Sequence, residues 1–173
     1  EIIKIFNFYK LRSKVDLTDV TKEYVSFVIS LEKFKEISKA PTTKGYTTIY
    51  NEDPIYIDPR NHELGAKIIS KTKNTENIIK NLNLKIINKE KYYNKSFNLG
   101  ILQINHSKLK DKIFGIENNL DELGAIDFQK GCYIGQENTS RIKLRNKLRR
   151  RILPIEKISG ELIENDIIKY KNN

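Results

Sequence analysis

Residues 4–15 (KIFNFYKLRSKV) and 23–30 (EYVSFVIS) are rich in branched and aromatic side chains in rough alternation, and with the turn-prone Asp16–Asp19 between them they predict two strands. Ser30 is placed to cap a short helix over Leu31–Ser38, which puts Leu31 and Phe34 on one face and which Pro41 ends. Tyr46–Tyr50 and Ile55–Ile57 flank the turn Asn51-Glu52-Asp53-Pro54 and predict a hairpin. A loop over 58–65 (DPRNHELG) and a strand over Ala66–Ser70 follow. The rhythm then changes to a helical one. Ile78, Ile79 and Leu82 form one stripe of a helix over Asn74–Leu82, and Tyr92, Tyr93 and Phe97 form another over Asn88–Leu99, with Gly100 at its end. From Arg151, ILPIEKIS and GELIENDIIKY read as two β runs about Gly160. Strands followed by helices without strict βαβ alternation predict an α+β fold. We expect residues 1–147 to form the main domain and 148–173 to begin a small β-barrel module.

At 173 residues and 38% hydrophobic content the chain can bury a good-sized core. It starts at Glu1 and contains no methionine, so a piece of a longer protein is expected. Lysine and arginine number 32 against 22 acids, a net charge of +10 that suits an anionic partner. Ile, Lys and Asn, all with A/T-rich codons, are heavily used throughout, so coding bias stands beside ligand binding as the account of that charge. Aromatic and basic residues do not interleave regularly, which speaks against a nucleic-acid stacking surface. One cysteine, Cys132, excludes an internal disulfide and a CxxC metal site and fits a reducing compartment, so a cytoplasmic location is expected. No apolar run approaches the ~20 residues of a membrane span. His62 and His106 lack metal-ligand spacing.

The chemistry concentrates in 127–141, DFQKGCYIGQENTSR. A helix starting at Cys132 or Tyr133 would place Tyr133, Gln136, Glu137, Ser140 and Arg141 on one polar face. Cys132 would then lie at the positive end of the helix dipole beside Lys130, a setting that favours the thiolate; an inert buried cysteine is the alternative. Gly135, costly in a first turn, signals a close approach of backbone or ligand. Arg141 is also placed for an i, i+4 pair with Glu137.

LDELGAIDFQKGCYIGQENTSRIKLR resembles the YgfZ-type folate-binding proteins, relatives of the aminomethyltransferase (T-protein) of glycine cleavage. Their signature reads roughly KGC(Y/F)xGQE, then a serine or alanine and an arginine; Lys130, Gly131, Cys132, Tyr133, Gly135, Gln136, Glu137 and Arg141 match it. KLRSKVDL, DPRNHELG and FGIENNLDEL look like further family segments, while Ser96, Leu102, Gly115 and Asn146 depart from the pattern. The resemblance implies a pocket for tetrahydrofolate or a one-carbon derivative and a role in iron-sulfur cluster assembly or repair with client or assembly proteins. It makes Cys132 the reactive group of a catalytic pair with Lys130, with Lys130 and Arg141 either tuning the thiol or holding an anionic glutamate tail. Glu117 would accept hydrogen bonds from the pterin, with Tyr133, Gln136, Glu137 and Arg141 beside the folate. Tyr92 and Tyr93 are either core residues or a pterin stacking surface. T-proteins lack KGCYIGQE, which disfavours aminomethyl transfer, and a basic nucleic-acid-binding module rests on net charge alone.

Overall fold

The computed structural model describes residues 2–102, 112–145, 148 and 150–163. Its centre is a four-stranded antiparallel sheet of β1 (Tyr24–Ile29), β2 (Thr47–Tyr50), β3 (Asp53–Ile57) and β4 (Ala66–Lys71), in the order β1-β4-β3-β2. The helices are α1 (Ile2–Tyr9), α2 (Leu31–Ile37), α3 (Thr75–Asn81), α4 (Lys89–Asn98) and α5 (Gln136–Leu144). None of the helices among the described residues is long and apolar enough to cross a membrane.

Alternation along the strands decides which face is buried. In β3, Asp53, Ile55 and Ile57 point inward, and in β4 so do Ala66, Ile68 and Ser70. They meet Ile29 of β1, Phe34 of α2 and Ile78 of α3, with Leu31, Ile37 and Leu82 packed around them. Ser30 caps α2 by accepting the Lys33 N–H at 3.2 Å, and Asn88 caps α4 by accepting that of Glu90 at 3.0 Å. One polar contact belongs to this core: Ser70 Oγ donates to Asp53 Oδ2 at 2.6 Å, which satisfies two buried groups at once. At the entry to β4, Gly65 has φ of 88°, and a Cβ there would come within 2.1 Å of the Ile29 carbonyl oxygen. Only glycine lets the chain pass that close to β1.

Four expectations are corrected. Residues 4–15 do not form a strand. Apolar pairs at Ile2-Ile3, Ile5-Phe6 and Phe8-Tyr9, separated by single polar residues, repeat every three positions and wind into α1, which stops near Leu11 at a positive φ of 46°. The hairpin turn is the two residues Asn51-Glu52, with φ of 48° and 71°, values of the type I′ class that matches strand twist. Asp53 and Pro54 therefore belong to β3, and Pro54 lies one residue ahead of the β3–β4 ladder, where its missing N–H removes no bond. From 151 to 163 the chain forms no strand; the remainder of the expected β module, 164–173, lies outside the described residues, as do His106 and Asn146. Residues 150–152 instead pack against the turn Gly115–Asn118: Ile152 donates its N–H to the Glu117 carbonyl at 3.1 Å. The fourth is the start of α5, which lies at Gln136 rather than at Cys132 or Tyr133.

Candidate functional site

The signature segment is a chain of turns leading into α5. Asp127 Oδ1 accepts the N–H groups of Gln129 at 2.8 Å and Lys130 at 3.2 Å, an Asx-type turn. A second turn follows, with the Gln136 N–H on the Tyr133 carbonyl at 3.1 Å. Gly135, at φ 88° and ψ −1°, occupies the left-handed third position of a type II turn. The Gln136 side chain returns across it, its Oε1 accepting the Tyr133 N–H at 3.0 Å. α5 therefore begins at Gln136, not at Cys132 or Tyr133. The physical reason is Gly135, whose left-handed backbone cannot continue a right-handed helix. No described protein atom lies within 4 Å of a Cβ built at Gly135, so within the fold it is the left-handed turn that calls for glycine.

This later start separates the residues that the signature groups together. Cys132 is exposed and lies three positions before the Gly135 cap, outside the first turn where a helix dipole acts. Lys130 places its Nζ 5.0 Å from the centre of the Tyr133 ring, a cation–π contact. Tyr133 is half-buried, and its hydroxyl is enclosed without a hydrogen-bond partner among the described residues. Within α5, Gln136, Thr139 and Ser140 are half-buried, whereas Glu137 and Arg141 are exposed. The single polar face is thus two faces, and no ion pair joins Glu137 to Arg141 among the described residues. Among those residues no group of three or more His, Cys, Asp and Glu side chains could hold a metal ion.

Glu117 sits in the short turn Gly115–Asn118 and is buried. Its Oε2 accepts the Phe114 N–H at 2.9 Å, and Arg150 Nε reaches Oε1 at 3.1 Å. The Phe114 bond, joined by Arg150, holds the carboxyl below the usual carboxylate range against the opposing effect of burial. Beside it Asn119, at a left-handed φ of 58°, donates to the carbonyls of Gly100 at 3.1 Å and Ile152 at 2.8 Å, and accepts from Arg151 Nε at 2.7 Å. A hollow of about 350 Å³ lies here, lined among others by Leu99, Asn119, Arg151 and Pro154. Glu117, Tyr133, Gln136, Glu137 and Arg141 are absent from its lining. Both Glu117 oxygens are engaged within the fold, by the Phe114 N–H and by Arg150.

Sequence reasoning missed a charged cluster in the DPRNHELG loop. Asp58, 1% exposed, takes both ends of the Arg60 guanidinium, at 3.0 Å from Nε and 2.8 Å from Nη2, and the Arg60 N–H at 3.0 Å. Lys67 Nζ stands 3.4 Å away, and Arg60 Nη2 also donates to the Tyr92 hydroxyl at 2.8 Å. Burial pushes the Asp58 carboxyl up, but the bonds and charge of Arg60, with Lys67 behind them, outweigh it and leave the group below its usual range. The same bonds raise the Arg60 guanidinium. Tyr92 is thus a strut between α4 and the loop. The D-x-R spacing was its only signal in the sequence. His62, in the same loop, is exposed.

No protein-family model matches the chain. The chain is homologous to curated proteins named as iron-sulfur cluster assembly factors. A mitochondrial iron-sulfur cluster assembly factor IBA57 homolog of Dictyostelium discoideum is 30% identical over 149 residues, covering 85% of this chain and 36% of that protein. The protein of the same name from Neurospora crassa is 31% identical over 149 residues, 84% of this chain and 33% of the relative. That of Mycosarcoma maydis is 27% identical over 154 residues, 89% and 35%. The chain spans about a third of the length of these curated relatives.

Proposed function

We propose that this protein acts in iron-sulfur cluster assembly or repair, with the Cys132 thiol as its reactive group. Homology to proteins named as iron-sulfur cluster assembly factors supports the process. The observation that carries the residue assignment is the exposure of Cys132 on a turn fixed at both ends, by Asp127 on one side and by the Tyr133–Gln136 contacts on the other. A thiol presented in this way is accessible to a partner protein, and in that exchange the cluster is cargo. Cys132 supplies one ligand and the assembly or client protein supplies the rest. Lys130, engaged on the Tyr133 ring, braces the turn beside the thiol. The relatives' names carry a mitochondrial address, and we propose that location in place of the cytoplasmic one.

Reduced folate is proposed as a ligand on the family resemblance alone. Calorimetry with tetrahydrofolate tests it: heat of binding supports the pocket, and a flat trace removes folate from the account. The assembly role is tested by expressing the protein in cells depleted of their own homologous factor and assaying cluster-dependent enzymes. Recovery of those activities is expected; no recovery by protein of normal abundance contradicts the assignment.

A further inference from the structure

Seven of the eleven residues from Arg141 to Arg151 are basic, and their partners divide them into two groups. Three of the seven are neutralised within the fold: Lys143 by Asp121, Arg150 by Glu117 and Arg151 by Glu122. Arg141 and Arg145 are exposed and have no carboxylate partner among the described residues. They stand one helical turn apart, and Leu144, three positions after Arg141 and so its neighbour on the helix surface, is 85% exposed. Ile134, on the turn before the helix, is fully exposed. A helix dipole favours cations in a last turn. It gives no reason for an apolar side chain held in water beside Arg141.

We propose that this outward face of α5 is a docking surface for an acidic protein segment, with Leu144 as the apolar contact and Arg141 and Arg145 as the charged rim. Apolar contacts bordered by charges are the anatomy of a protein interface, and uncompensated cations select a carboxylate-bearing partner. Single-stranded nucleic acid fits less well. Its binding combines backbone charge contacts with stacking on free aromatic faces, and of these two this segment offers only the charge, since both its rings are half-buried and taken by lysines, Phe128 by Lys143 at 4.7 Å and Tyr133 by Lys130 at 5.0 Å. The surface goes beyond the assembly role and needs no cluster, so its test reads binding only.

The test is fluorescence anisotropy of the protein with two labelled probes, a peptide of alternating Glu-Glu-Leu units and an oligothymidylate of equal charge. The peptide is expected to bind the more tightly and to weaken roughly tenfold in the double variant R141E/R145E, and to weaken also in Leu144→Ser. A variant with the same change of charge placed elsewhere, Lys44→Glu/Lys80→Glu, is expected to bind it as the parent does. Equal losses in the two charge variants, no loss in R141E/R145E, or tighter binding of the oligonucleotide would each overturn the proposal. Because the readout is binding, a failed cell assay for cluster assembly leaves this result standing, and the reverse also holds.

Discussion

Replacing Asp58 with asparagine tests whether the charged cluster holds the DPRNHELG loop to α4. The asparagine is nearly the same size, so packing is preserved and only the charge and one acceptor are lost. Oδ1 still accepts from the Arg60 backbone and Nε, but the amide nitrogen now faces Nη2, and Lys67 loses its counter-charge. Hydrogen bonds to charged groups contribute about 1.5–3 kcal/mol each, and breaking a buried pair costs about 3–5 kcal/mol when the orphaned charge stays dry. Arg60 and Lys67 retain 29% and 24% of their side-chain exposure, so water recovers part of that loss. We expect about 2–3 kcal/mol of destabilisation. Urea unfolding at neutral pH reads it as a midpoint lowered by about 1 M, given slopes of about 1–3 kcal/mol per molar. Asp16→Asn, at an exposed site, is the control and is expected within about 0.5 kcal/mol of the parent.

The same variant has a pH signature. The folded-state pKa of Asp58 is depressed, so its stabilising effect is complete above the ordinary carboxylate range and is lost as pH falls through the folded value. The gap between parent and D58N is therefore constant above about pH 5 and shrinks under more acid conditions. A gap below 0.5 kcal/mol at neutral pH, or one that widens with acid, would refute the reasoning.

Other consequences follow from single contacts. Gly135→Ala forces a side chain onto a left-handed backbone and should cost about 1–2 kcal/mol, read by thermal unfolding, with amide exchange showing the loss concentrated at the start of α5. Asn119→Ala removes two donors and one acceptor of a buried clamp and is expected to cost about 2–3 kcal/mol and to free residues 150–152 to proteolysis; protease resistance equal to the parent's would contradict the clamp. Alkylation of Cys132 by iodoacetamide in native buffer, followed by mass spectrometry, should proceed within a few-fold of the rate in urea, since the residue is exposed.

Local chemistry made much of this fold legible. The cap at Ser30, the alternation in β1 and β4, and the stripe of Ile78 and Leu82 each lie within one element and can be read without its neighbours. The α1 region was misread because apolar pairs such as Phe8-Tyr9 satisfy a strand's preference for aromatic and branched residues almost as well as a helix's spacing. At the site, the identity of Cys132, Tyr133 and Gln136 was plain, but the start of α5 depended on the sign of one dihedral angle at Gly135. The clamps of Glu117 and Asn119 on Arg150, Arg151 and Ile152 were not legible at all. Each joins positions more than thirty residues apart, and nothing in the local pattern of either segment marks its partner.

The central claim is that the exposed thiol carries the function. Its most direct test is Cys132→Ala in cells depleted of their own homologous factor, with cluster-dependent enzyme activity as the readout and circular dichroism of the purified variant as the check on folding. The account predicts a folded protein that fails to restore those activities, because an alanine in this exposed turn removes the sulfur and disturbs nothing packed against it. Full restoration by Cys132→Ala would contradict it.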